Sequence, residues 1–100
     1  MRTIQPTKAY RRDYRRIKSN PLYKNIDDFL NPVLEMLAHD RPLPMRNRDH
    51  DLSGNWSDCR ECHVRPDLLL IYMKVAADEL RLVRLGSSQR SFPVNSVQVV

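Results

Sequence analysis

The stretch that most constrains this chain is the apolar run "LLLIYMKV", residues 68–75, because two other strand-like runs stand so close to it. "SDCRECHV" precedes it, separated only by turn residues around Pro66, and "LRLVRL" follows after the break "AADE". Connections this short join antiparallel neighbours, since a parallel pair needs a crossover of a dozen or more residues. A fourth strand is expected from "RTIQP" at the start, so the second half of the chain predicts an antiparallel meander.

Between the first strand and the meander the period changes from two to 3.6. Over residues 8–18, Tyr10, Tyr14 and Ile17 recur at i, i+4 and i+7, while Arg11, Arg12, Arg15 and Lys18 occupy other faces. This predicts a basic amphipathic helix. "SNPLYKN" breaks the period, and Asn25 is a suitable N-cap for a second helix with Asp27 and Asp28 in its first turn. Ile26, Phe29, Leu30, Val33, Leu34, Leu37 and Ala38 form its apolar stripe, and Pro32 predicts either a kink or a later start. Two helices followed by a meander make the class α+β. From His39 to Trp56 the helical period is lost, and the composition predicts a long connection with turns.

One hundred residues suffice for one domain with its own core. The opening "MRTIQPTKAYRRDYRR" lacks the apolar core and cleavage site of a secretory signal, and no apolar run reaches spanning length, so a cytoplasmic protein without membrane insertion is expected. The net charge of +5 points to a polyanionic partner, nucleic acid above all. "YRRDYRRIK" concentrates five of the positive side chains, Arg11, Arg12, Arg15, Arg16 and Lys18.

Cys59, Cys62 and His63 match the C-x-x-C-H pattern of covalent haem attachment. A cytosolic chain keeps its cysteines reduced, and haem attachment to this motif follows export. In a strand, residues an odd number apart point to opposite faces, so Cys59 and Cys62 are not placed to share one metal or haem edge. The expectation is no haem, no metal and no other cofactor, with both cysteines as small, partly buried strand residues.

A dense polar set remains: Asp49, His50, Asp51, Trp56, Arg60, His63, Arg65, Asp67, Arg81 and Arg84. Histidines beside a carboxylate suit acid–base work, and arginines suit a phosphate that gains charge in the transition state. Each also has a structural explanation: His50 as a loop residue, His63 as a half-buried strand residue, Asp67 as a turn former and Trp56 as a core plug.

The run "DHDLSGNWSDCRECHVRPDLLLIY" resembles the central block of the YafQ branch of RelE-type toxins, in which a histidine precedes L-x-G-x-W and an H-V-x-P-D segment leads into an apolar strand ending in I-Y. "LRLVRLGSSQRSF" is similar to the closing strand of that family, with Arg84, Gly86 and Phe92 in register. The likeness covers residues 1–92 and leaves 93–100 as an extension, either an extra strand or a loose tail. It implies a RelE-like microbial ribonuclease fold, with two N-terminal helices on a curved antiparallel sheet. It further implies a metal-independent ribonuclease that cuts mRNA in the ribosomal A site and is held inactive by a DinJ-like ribbon-helix-helix antitoxin, in a heterotetramer. By the same resemblance His50, His63 and Asp67 take acid–base or substrate-positioning places, Arg84 a phosphate-stabilising place, and Trp56 and Phe92 RNA-contacting or site-supporting places. Arg60, Arg65 and Arg81 join the expected RNA contacts, and the basic helix is expected to bind ribosomal RNA or antitoxin by charge. Ser88 stands where the family carries a histidine in the catalytic set, and serine is no acid or base near neutral pH. Either His50, His63 and Asp67 suffice, or the chain is a weakened toxin; the alternative is a non-catalytic RNA- or ribosome-binding domain of the same fold.

Overall fold

The computed structural model describes residues 1–87 and the backbone of residues 98 and 99; Ser88 and Phe92 lie outside the described residues. The elements run β1 (Thr3–Pro6), α1 (Lys8–Lys18), α2 (Asp27–Ala38), β2 (His50–Ser53), β3 (Arg60–Arg65), β4 (Leu68–Val75), β5 (Glu79–Ser87) and β6 (Gln98–Val99). Single 3-10 turns occupy Pro21–Tyr23, Met45–Asn47 and Gly54–Trp56. One sheet has the order β1-β5-β4-β3-β2-β6. No helix among the described residues is long and apolar enough to cross a membrane.

The meander forms as expected, with β4 spanning the whole run at 68–75 and pairing antiparallel with both β3 and β5. The expected antiparallel sheet is corrected at its edge: β1 pairs parallel with β5, from Thr3↔Glu79 to Pro6↔Leu82. Nothing in "RTIQP" encodes a direction; the direction follows from α1, which must leave Pro6 and pack back over β5. Thr7 makes that corner, because its backbone N–H donates to Leu82 O at 3.0 Å, its hydroxyl donates to Val83 O at 3.0 Å and the same oxygen accepts from Tyr10 N. The hydroxyl therefore caps α1 and ties it to β5 together.

The second helix starts at Asp27, two residues after the expected cap, with Ile26 at the cap position and no side-chain cap bond. Pro32 lies inside it without ending it. Asp28 and Pro32 are both exposed, so water can take the carbonyl that loses its helical partner. β2 lies within the stretch expected to be a connection, and its composition, His-Asp-Leu-Ser, carries only one apolar residue to signal it.

Alternation along the strands divides the interior. Leu68, Leu70 and Tyr72 of β4 join Cys62, Val64, Leu80, Leu82 and Leu85 against Tyr10, Ile17, Leu30, Val33 and Leu37 of the helices. On the other face Leu52, Cys59 and Ile71 form a smaller cluster with Trp56, Met73 and Val83 packed against it. The two cysteines are thus buried in different clusters, and neither is in a disulfide. Beyond α2, Asp40 adopts φ 56° and receives Arg2 and Lys74, each at 2.8 Å, which joins the helix end to the residue before β1 and to β4. Lys74 first and then Arg2 hold its carboxyl down, to about 2.

Candidate active site

On the sheet face away from the helices, strand register brings two histidines together. His50 of β2 stands opposite Glu61 of β3, and His63 lies two residues further along β3 on the same face. Residues of such a diagonal pair lie about 7–8 Å apart, near enough for both imidazoles to meet one substrate group. His50 presents Nδ1 to the Arg48 carbonyl at 2.5 Å and Nε2 to Glu61 Oε1 at 3.2 Å. His50 Nε2 is itself buried and makes no hydrogen bond among the described residues. Its approach to Oε1 is poorly aligned as a hydrogen bond, and Oε2 of Glu61 is buried with no partner among the described residues. Glu61 is 3% exposed and was not in the expected polar set. The signal that finds it is parity: within "RECH" it shares the face of His63, whereas Cys62 does not.

Two β-bulges adjoin this face, and such bulges re-aim side chains at sites of this kind. The first inserts Val64, since His63 pairs with Leu69 and Arg65 with Leu68. Asn47, buried in the turn before β2, secures that spot by donating to the His63 carbonyl at 2.7 Å. The second inserts Val83, since Arg84 pairs with Ile71 and Leu82 with Tyr72. Across the strands His50, Glu61, Ile71 and Arg84 then lie on one line of partners.

Each candidate has its own anchor. His63 Nδ1 lies 3.3 Å from the Pro66 carbonyl. Asp67, in the β3–β4 turn, accepts from the Tyr23 hydroxyl at 2.7 Å. Arg84 donates through Nε at 2.7 Å and Nη2 at 3.2 Å to Asp13 of α1, a fully buried carboxylate that also accepts from Leu85 N and Arg16. Trp56 is half-buried beside Leu52, Cys59 and Ile71. The structure therefore joins His50 to Glu61 and sets His63 on their face, while Asp67 and Arg84 are held by residues of the helical layer.

The other basic candidates divide by partner. Arg60 bridges Asp49 and Asp51, and Asp49 also accepts from Tyr72. Arg81 pairs with Glu79, and Lys18 with Asp27. Arg65 places its guanidinium over the rings of Tyr23 and Phe29, at 5.3 and 5.2 Å. Arg11, Arg12 and Arg15 are exposed on α1. Burial raises both the Cys59 and the Cys62 thiol, so neither is ready to serve as a thiolate. Among the described residues no group of three or more His, Cys, Asp or Glu is arranged to hold a metal ion.

Residues 2–92 match the family described as bacterial toxin of type II toxin-antitoxin system, YafQ. This chain belongs to the YafQ toxin family. The mRNA interferase toxin YafQ of Escherichia coli K12 is 30% identical over 91 residues, covering 91% of this chain and 96% of that one. The solved complex of E. coli YafQ with DinJ superimposes with a TM-score of 0.69 over 91% of this chain and 97% of that one, at 30% identity. A YafQ-like fold also appears in a metal-bound toxin from Helicobacter pylori, 39% identical, with a TM-score of 0.77 over 92% of this chain and 100% of that one. A putative YafQ toxin of Haemophilus influenzae is 44% identical over 47 residues, 47% of this chain and 46% of that protein, so that match spans about half its length. The α+β arrangement of two helices on a mixed sheet matches these toxin structures.

Proposed function

We propose that this YafQ-family chain is a ribosome-dependent mRNA endoribonuclease of a type II toxin-antitoxin pair, acting in the cytoplasm on message in the A site. The observation that carries the reading is the placement of His50 and His63 on one sheet face, beside the buried Glu61. Cleavage by a ribose 2′-OH needs a base to take its proton, an acid to protonate the departing 5′ oxygen and a cation for the phosphate. His50 and His63 supply the proton transfers, Asp67 positions or assists, and Arg84 holds the phosphate. Trp56 and Phe92 contact the RNA or support the site, with Arg60, Arg65 and Arg81 adding charge around it. The chemistry is assigned to side chains, with no metal required. The E. coli relative was solved with DinJ, which supports a DinJ-like ribbon-helix-helix antitoxin here, in a heterotetramer. Residues 1–92 constitute the toxin domain and 93–100 an extension.

The test is cleavage of mRNA on programmed ribosomes by the native chain and by Ser88→His, each with and without EDTA, on ribosomes shown to remain intact. Cleavage is expected in EDTA, with Ser88→His the faster. Loss of cleavage restored by one divalent ion overturns metal independence. Tight ribosome binding without cleavage by either chain establishes the non-catalytic alternative.

Helix α1 is expected to contribute by charge. Reversing exposed Arg11 and Arg15 to Glu should weaken ribosome binding and reduce the slope of log K against log salt by about 0.9 for each phosphate that is no longer neutralised. An unchanged slope makes that face a solvated surface.

A further inference from the structure

We infer that Tyr23 is a positioning residue for Asp67, fixing from the helical layer a carboxylate that the β3–β4 turn alone does not fix. The inference rests on the role proposed for Asp67. Asp67 follows Pro66 in a tight turn, and its side chain is half exposed. An exposed aspartate in such a turn samples several rotamers, and rotamer freedom is what a substrate-positioning group has to lose. Tyr23 removes it. The residue lies 44 positions earlier, at the end of the 3-10 turn that joins α1 to α2, and is 7% exposed. That turn is itself fixed by Asn20, whose side chain accepts from Leu22 N at 3.0 Å.

The two oxygens of Asp67 are differentiated as a result. Oδ2 accepts from the Tyr23 hydroxyl at 2.7 Å. Oδ1 lies 3.9 Å from Arg65 Nε, beyond hydrogen-bond distance. Oδ1 is the oxygen left for substrate. The bond to Asp67 is also the main cause that raises the Tyr23 hydroxyl above its ordinary value, so the hydroxyl stays protonated and remains the donor. Arg65 reinforces the arrangement from the side, with its guanidinium over the Tyr23 ring and Nη1 donating to Leu22 O at 3.3 Å. The same turn carries the Pro66 carbonyl that faces His63, so the tether from Tyr23 reaches both candidates.

Tyr23→Phe isolates this role, because it deletes the hydroxyl and keeps the ring beneath Arg65. The experiment compares the full chain, Tyr23→Phe, Asp67→Asn and the double variant in ribosome-dependent cleavage, with thermal midpoints measured alongside; if the native chain is slow, all four are built on Ser88→His. Tyr23→Phe should lower kcat about tenfold with KM nearly unchanged, a smaller loss than the roughly 10²-fold a 1 Å misplacement can bring. In the Asp67→Asn background it should have no further effect. Native turnover by Tyr23→Phe beside a slow Asp67→Asn overturns the inference alone. Additive losses overturn it too, as does a loss that follows a fall in thermal midpoint. Native turnover by Asp67→Asn, or no cleavage in either background, overturns the proposed role of Asp67 and the inference with it.

Discussion

Replacing His63 by Gln is expected to slow mRNA cleavage by about 10²–10⁴-fold, the usual contribution of a positioned acid or base. Glutamine retains a hydrogen-bonding group near the Pro66 carbonyl but does not exchange a proton near neutral pH. Folding should change little, since His63 is only half-buried and its ring's hydrogen bond among the described residues is a long one. The control is the neighbouring pair of thiols. Cys59→Ala and Cys62→Val should leave turnover near native, because both thiols are buried, in different clusters, and pushed up by burial. Single-turnover cleavage and a pH–rate profile check this. Full activity in His63→Gln together with inactive cysteine variants would reverse the assignment and make the thiols the functional pair.

Asp13→Asn is expected to cost about 3 kcal/mol of stability, the lower end of the roughly 3–5 kcal/mol for breaking a buried ion pair. Asp13 is fully buried while Arg84 is 27% exposed, so the guanidinium can recover part of its hydration, which sets the lower figure. The carboxylate accepts from Arg84, Arg16 and the Leu85 amide, and an amide in its place turns one acceptor into a donor facing donors. For a domain of this size the thermal midpoint should fall by about 12 °C or more. Calorimetry decides. A midpoint within a few degrees of native would show that the pair adds little to stability.

Periodicity sufficed for elements whose pattern is continuous and local. Helix α1 spans the expected 8–18 and β4 the expected 68–75; Cys59 and Cys62 fall in different clusters as expected, although Cys59 stands just before β3 and not in it as predicted. Direction and pairing across long distances were not legible, because they reside in no local pattern. The parallel edge formed by β1 depends on how α1 crosses β5, and β2 has too few apolar residues to register as a strand. Among the candidate residues, those with distinctive chemistry and a motif around them, His50, His63, Asp67 and Arg84, could be proposed from the sequence. Their holders could not. Asp13 sits 71 residues from Arg84 and Tyr23 44 residues from Asp67, and on their own helices they read as a charge among arginines and an aromatic in a linker. Glu61 was within reach of strand parity but was overshadowed by the cysteines beside it.

The parallel edge has a bearing on how the protein is made. β1 takes its place against the much later β5, and 76 residues separate Thr7 from the Val83 carbonyl it binds. At about 5–20 residues per second, the ribosome needs about 4–15 s to supply that partner after Thr7 is made. Until then β1 has no neighbour, α1 has no strand to lie on, and the buried carboxylate of Asp13 has no arginine from β5. Late closure of so long a loop is also the slow kind of folding event. A growing chain therefore carries its basic helix well before the arginine-bearing side of the sheet exists, so this edge and the ion pair between Asp13 and Arg84 come together as one late event.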